Sequence, residues 1–185
     1  RLTLTVEGFG EKSYRYLLEQ GFIPPELESA YRSLAEDLLV QVRACYERAG
    51  APLYLRLHGD FHPGNILTTD AGLHIVDLDD ARMGPAVQDL WMFLSGDRAH
   101  RTARLADVLE GYTQFRDFDP RELHLIEALR TLRMMHYAAW LARRWDDPAF
   151  PRAFPWFNTE RYWGEHILSL REQAALMSEP PLVWD

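Results

Sequence analysis

Apolar residues recur along this chain at two periods. In residues 26–48, Leu27, Ala30, Tyr31, Leu34, Leu38 and Val42 fall three or four positions apart, the repeat of a helix with one buried face. Glu28, Arg32, Glu36, Asp37 and Arg43 lie between them as a solvated face, and Gly50-Ala51-Pro52 ends the helix. A shorter helix is expected over residues 13–20, closed by Gly21. Residues 102–115 repeat the helical pattern, with Leu105, Val108, Leu109, Tyr112 and Phe115 on one side. Asp119-Pro120-Arg121-Glu122 is a start signal, with Asp as cap, Pro first and Glu third. The helix it opens should run to about Trp145 and bury Leu125, Leu129, Leu132, Met135, His136, Ala139 and Trp140. A last helix, capped by Asn158 or Thr159, ends near Met177 before Pro180-Pro181.

The second period is two. Leu53-Tyr54-Leu55-Arg56-Leu57 alternates and reads as a strand. Ile66-Leu67 and His74-Ile75-Val76 flank Asp70-Ala71-Gly72 and read as a hairpin. Leu2-Thr3-Leu4-Thr5-Val6 alternates weakly, as an extended edge would. Residues 8–13 read as a loop entering the first helix, and a helix is expected over residues 88–94. Residues 146–157 read as a proline-aromatic loop, either the wall of a cleft or a plug beneath a long connection. The pattern therefore predicts an α+β chain, mostly α, with a small β-hairpin.

Composition narrows the classes. The length of 185 residues suits one domain or one large lobe, and 47% apolar residues suffice for a core. No run of eighteen apolar residues occurs, so no membrane-spanning helix is expected, and no signal peptide is visible. A net charge of −8 disfavours non-specific nucleic-acid binding. Cys45 is the only cysteine, which excludes an internal disulfide and fits a reducing, cytoplasmic setting. The basic side chains are Arg except for Lys12.

The chemistry concentrates between the strand and the hairpin, in Leu57-His58-Gly59-Asp60-Phe61-His62-Pro63-Gly64-Asn65-Ile66, followed by Ile75-Val76-Asp77-Leu78-Asp79. An Asp beside a reacting hydroxyl can orient it and take its proton. An Asn carbonyl and a second carboxylate are hard oxygen ligands of the kind Mg²⁺ takes alongside phosphates. Asp60, Asn65 and Asp77 together suit phosphoryl transfer, where catalysis is positioning plus charge neutralisation. His-x-Asp with Asn five after the Asp is the spacing of a kinase catalytic loop. The plainer reading is a polar turn whose Asp and Asn cap backbone groups. A third reading takes His58, Asp60 and His62 with Asp77 as a hydrolase metal cluster, although the other histidines show no ligand spacing. A fourth is a kinase-like scaffold without catalysis. Gly8-Phe9-Gly10-Glu11-Lys12-Ser13 fails the phosphate-loop pattern, because Glu11 separates Gly10 from Lys12.

His58-Gly59-Asp60 with Asn65, then Val76-Asp77-Leu78-Asp79-Asp80-Ala81, resembles the aminoglycoside-phosphotransferase and choline-kinase superfamily, and within it a family of bacterial stress response kinases. The resemblance includes residues 79–91, 139–145 and 147–151, and covers nearly all of the chain from Leu55 onward. It implies an ATP-dependent Ser/Thr protein kinase of the cytoplasm, with Asp60 as proton acceptor and Asn65 and Asp77 holding Mg²⁺. The acceptor is a hydroxyl of a protein or of a small molecule such as an aminoglycoside, choline or homoserine-like compound.

Kinases of this type hold the α- and β-phosphates with a strand Lys. Lys12 lies outside any such strand, and no glycine-rich loop of kinase type is present. The expectation is a protein-kinase-like C-terminal lobe, inactive alone, whose ATP-clamping N-terminal lobe is absent from these residues and with which it forms a monomer. Residues 1–52 would be a helical linker region, 53–97 the catalytic and metal-binding loops, and 98–185 a helical subdomain. Asp77-Leu78-Asp79 stands where other kinases have Asp-Phe-Gly, and Gly84-Pro85 leaves no room for a long activation loop. Asp80 is expected to cap the next turn, and Asp89 to brace the catalytic loop by hydrogen bonding. His58 is expected to orient the loop through its ring. Asp79 is open between metal and cap.

Overall fold

The computed structural model describes residues 2–184. In chain order the elements are α1 (Lys12–Glu19), α2 (Pro25–Ala49), β1 (Tyr54–Leu57), β2 (Ile66–Thr69), β3 (Gly72–Ile75), β4 (Arg82–Pro85), α3 (Val87–Leu90), α4 (Arg98–Thr113), α5 (Ile126–Ala142), α6 (Ala149–Ala153) and α7 (Glu160–Ser178). The chain is α+β and mostly α, as its pattern predicts.

The contacts divide it into two compact units. One contains residues 2–4, Tyr46–Ile126 and 180–184. In it β1 pairs antiparallel with β4, Leu57 opposite Arg82, and β2 pairs antiparallel with β3, Ile66 opposite Ile75. Leu4 N–H donates to the Met83 carbonyl at 2.8 Å, and Met83 N–H to the Leu2 carbonyl at 2.9 Å. The expected N-terminal edge is thus a short parallel bridge on β4, centred on Thr3. Leu57, Val87, Leu94, Leu105, Leu109 and Leu125 are buried, each contributing about 1.5–3 kcal/mol of transfer free energy. Gly84 lies where a Cβ would come 2.7 Å from Leu57 Cδ1, so glycine lets β4 close against that side chain.

The other unit contains Thr5–Cys45 and Glu127–Glu179. Tyr31, Leu38, Val42, Leu132, Met135, Trp163 and Leu170 are buried there. Arg143 lies over Tyr16 at 4.8 Å and Arg144 over Trp140 at 4.4 Å, within cation–π range. Thr159, not Asn158, caps α7, its Oγ1 accepting the Tyr162 N–H at 3.1 Å.

Four local expectations change. Residues 7–11 form a wide helical turn that runs directly into α1 instead of a loop. A Cβ on Gly10 would come 2.4 Å from Leu39 Cδ2, so the glycine serves close packing and does not turn the chain. Helix α4 stops at Thr113, which leaves Phe115 91% exposed instead of on the buried side. The Asp119 start signal opens a tight 3₁₀ segment, Pro120–Leu125, before α5 begins, and α5 ends at Ala142, short of Trp145. The proline-aromatic stretch holds one short helix, α6.

Candidate active site

Strand β1 delivers the chain to a turn that the rest of its unit grips from several sides. Gly59 sits at φ +89°, and a Cβ there would lie 2.2 Å from the Asp80 carbonyl oxygen. Only glycine fits that conformation and that approach together. Asp89 takes the two N–H groups that the turn leaves unpaired: Oδ2 accepts from His58 at 2.7 Å and Oδ1 from Gly59 at 2.9 Å. Burial pushes the Asp89 carboxyl above its ordinary range, and these two N–H bonds offset part of that rise. Gln88, beside it on α3, donates to the Gly59 carbonyl at 3.2 Å and accepts from Trp91 Nε1 at 3.3 Å. Asp89 therefore braces the loop as the sequence suggests. Gln88 is a second brace for which the sequence carried no signal beyond its neighbour.

The His58 ring ties the turn to the hairpin. Its Nε2 lies 2.8 Å from the Val76 carbonyl, which only accepts, so Nε2 carries the proton. Its Nδ1 then accepts from the Asp60 N–H at 3.3 Å. Asn65 closes the same loop: its Nδ2 donates to the Asp60 carbonyl at 2.9 Å. Val76 N–H donates to the Asn65 carbonyl at 3.0 Å. Val76 is thus bonded to both ends of the His58–Asn65 loop, and Asp77 is the next residue.

Asp77 is exposed and left-handed, at φ 63° and ψ 64°, and its side chain caps no backbone group in the 3₁₀ turn that follows. That conformation costs a non-glycine residue of order 1 kcal/mol. Asp80 does not cap a turn; its carboxylate pairs with Arg82, whose Nε also donates to the Asp80 carbonyl at 2.6 Å. Asp79 is exposed. His62 turns inward on its own segment: Nδ1 accepts from Gly64 N–H at 3.0 Å, and Nε2 is 3.7 Å from Asp60 Oδ2.

The donor set suits a hard cation. Asn65 is 8% exposed and uses its amide nitrogen on Asp60, which leaves Oδ1 as the atom to offer. Asp77 supplies a carboxylate with no capping duty. Two oxygen ligands with substrate phosphates completing the shell is the Mg²⁺ pattern. Among the described residues, no three His, Cys, Asp or Glu side chains are grouped to hold a metal by themselves.

The chain matches, over residues 12–126, the family described as "Phosphotransferase enzyme family". It belongs to that family. Stress response kinase A of Escherichia coli (strain K12) is 49% identical over 160 residues, which is 86% of this chain and 48% of that protein. "Serine/threonine protein kinase RdoA" of Salmonella typhimurium is 46% identical over 164 residues, 89% of this chain and 49% of that protein. The chain thus spans about half the length of these curated relatives. Two solved structures share its fold at 16% identity. A choline/ethanolamine kinase family protein of Mesorhizobium loti superposes with a TM-score of 0.58, covering 97% of this chain and 56% of its own. A spectinomycin phosphotransferase, solved with ADP and spectinomycin, gives 0.50 over 97% and 54%. The kinase-like fold expected from the sequence is therefore the fold of the chain.

Proposed function

We propose that this chain carries the catalytic loop of an ATP-dependent, Mg²⁺-assisted phosphotransferase, acting on Ser/Thr hydroxyls of proteins in a cytoplasmic stress response. The observation that carries this is the double bonding of Val76, to His58 Nε2 at 2.8 Å and to the Asn65 carbonyl at 3.0 Å. It keeps Asp77 beside the loop that bears Asp60 and Asn65. Asp60 orients the acceptor hydroxyl and takes its proton. Asn65 Oδ1 and the Asp77 carboxylate would hold the cation, which would offset charge on the transferring phosphoryl group. His58 and Asp89 fix the loop so that Asp60 meets the hydroxyl in one geometry. The names of the relatives favour a protein acceptor and a stress role, and the ATP clamp is assigned to residues outside this chain. The hydrolase reading is weaker, because both His58 ring nitrogens are already committed.

The test uses the full-length protein with γ-labelled ATP, Mg²⁺, and a panel of Ser/Thr proteins and peptides, choline, homoserine and aminoglycosides. Label on protein Ser or Thr supports the proposal. Label only on a small alcohol moves the acceptor to the small-molecule class. No transfer to any acceptor above an EDTA control contradicts the phosphotransferase reading.

A further inference from the structure

Glu122 has no part in the reading above, yet it is one of the few carboxylates the fold encloses, at 4% exposed. It sits in the 3₁₀ segment Pro120–Leu125, where the sequence pattern counts it as the third residue of that segment's own start signal. Instead its Oε2 accepts the N–H of Val87, thirty-five positions away, at 2.9 Å. That N–H opens α3 and has no partner within the helix.

Helix α3 has four residues, Val87–Leu90. One turn is too short to hold its own shape in water. On that turn sit Gln88 and Asp89, which together take the His58 and Gly59 N–H groups and the Gly59 carbonyl. A carboxylate kept out of water is costly unless it is hydrogen-bonded, and burial pushes the Glu122 carboxyl above its ordinary range. An unbroken set of bonds runs from Glu122 through α3 and Asp89 to the turn that presents Asp60.

We propose that Glu122 is a positioning residue for phosphoryl transfer: by capping α3 it fixes Asp89, and through Asp89 the His58–Asp60 turn. Its effect on turnover rests on the proposed function. Its effect on the turn does not.

The test compares Glu122→Leu and Glu122→Gln in the full-length protein, alone and combined with Asp89→Asn. Amide hydrogen exchange at His58 and Gly59 is measured against Leu105 and Leu109 in the same unit. Glu122→Leu should speed exchange at His58 and Gly59 selectively, and lower kcat by about 10- to 100-fold while KM for ATP changes by less than about twofold. Glu122→Gln, which keeps one acceptor oxygen, should fall between, and it decides the matter if the Leu variant does not fold. In the Asp89→Asn background, Glu122→Gln should cost kcat little more. Unchanged relative exchange at His58 and Gly59 in the Gln variant, or full additivity with Asp89→Asn, overturns the proposal. If the unmodified protein transfers no phosphoryl group, the functional reading fails, and the exchange arm still accepts or rejects the mechanical link.

Discussion

Gly59 is held by a residue thirty positions away: its N–H donates to Asp89 Oδ1 at 2.9 Å while Asp89 Oδ2 takes the His58 N–H. One carboxylate thus satisfies two consecutive amides of a turn that lies outside any helix or strand. Asp89→Asn keeps the shape but sets an NH₂ against one of those N–H groups. A buried unsatisfied donor costs about 1–3 kcal/mol, so denaturant unfolding should show a loss of that size together with slower turnover.

The same residue gives opposite pH trends for stability and activity. Burial raises the Asp89 pKa in the folded chain. A raised carboxyl pKa means the fold prefers the protonated form, so this contribution to stability is fully present below the unfolded pKa and is lost as pH rises through the folded one. Bonding to two N–H groups, however, needs the carboxylate. Activity should therefore fall on acidification at a pH above that of an ordinary carboxyl group. A pH–kcat profile whose acid limb is unchanged in Asp89→Asn would argue against this.

Two residues near the site hold left-handed backbone for different reasons. At Gly59 the constraint is steric as well as conformational, since an added Cβ meets the Asp80 carbonyl. Gly59→Ala should lose at least about 1–3 kcal/mol and most activity, by chemical denaturation and phosphoryl transfer assay.

At Asp77 the proposed function assigns the strain to the side chain. Glycine would relieve φ 63°, so Asp77→Gly should be as stable as the unmodified protein or more so, by up to about 1 kcal/mol. On the proposed function it should nevertheless lose transfer, because the cation would lose a ligand. A less active and clearly less stable Asp77→Gly would mark the residue as structural.

His166 predicts an acid sensitivity unrelated to catalysis. It is buried among the Tyr31, Tyr162 and Trp163 rings, and its Nε2 has no hydrogen-bond partner. Desolvation lowers its pKa from 6.5 to about 4. The folded state thus disfavours the charged ring. This contribution is fully present above pH 6.5 and is lost as pH falls toward 4, amounting to roughly 3 kcal/mol. Unfolding free energy measured from pH 7 to pH 4 should flatten in His166→Phe relative to the parent.

The β2–β3 hairpin is legible in the sequence because its turn, Asp70-Ala71-Gly72, is local and apolar β-branched and leucine residues flank it on either side. The long helices are legible because their apolar repeat lasts several turns. The β1–β4 pairing is not, since Arg82-Met83-Gly84-Pro85 reads as turn chemistry and its partner lies far back in the chain. Gly10 and Gly84 mislead in the same way: each is small to admit a leucine, not flexible to make a bend. Of the site, Asp60, Asn65, Asp77, His58 and Asp89 stand out by spacing and residue type. Gln88 and Glu122 do not, because their work is done on backbone groups distant in sequence.

The central claim is that Asp60 activates the acceptor while Asn65 and Asp77 serve the cation. Single-turnover transfer from ATP by Asp60→Asn in the full-length protein tests it most directly, with nucleotide affinity measured on the same sample. The predicted result is a fall of about 10²- to 10⁴-fold in the transfer rate with nucleotide binding retained. Transfer at close to the parental rate would contradict the account.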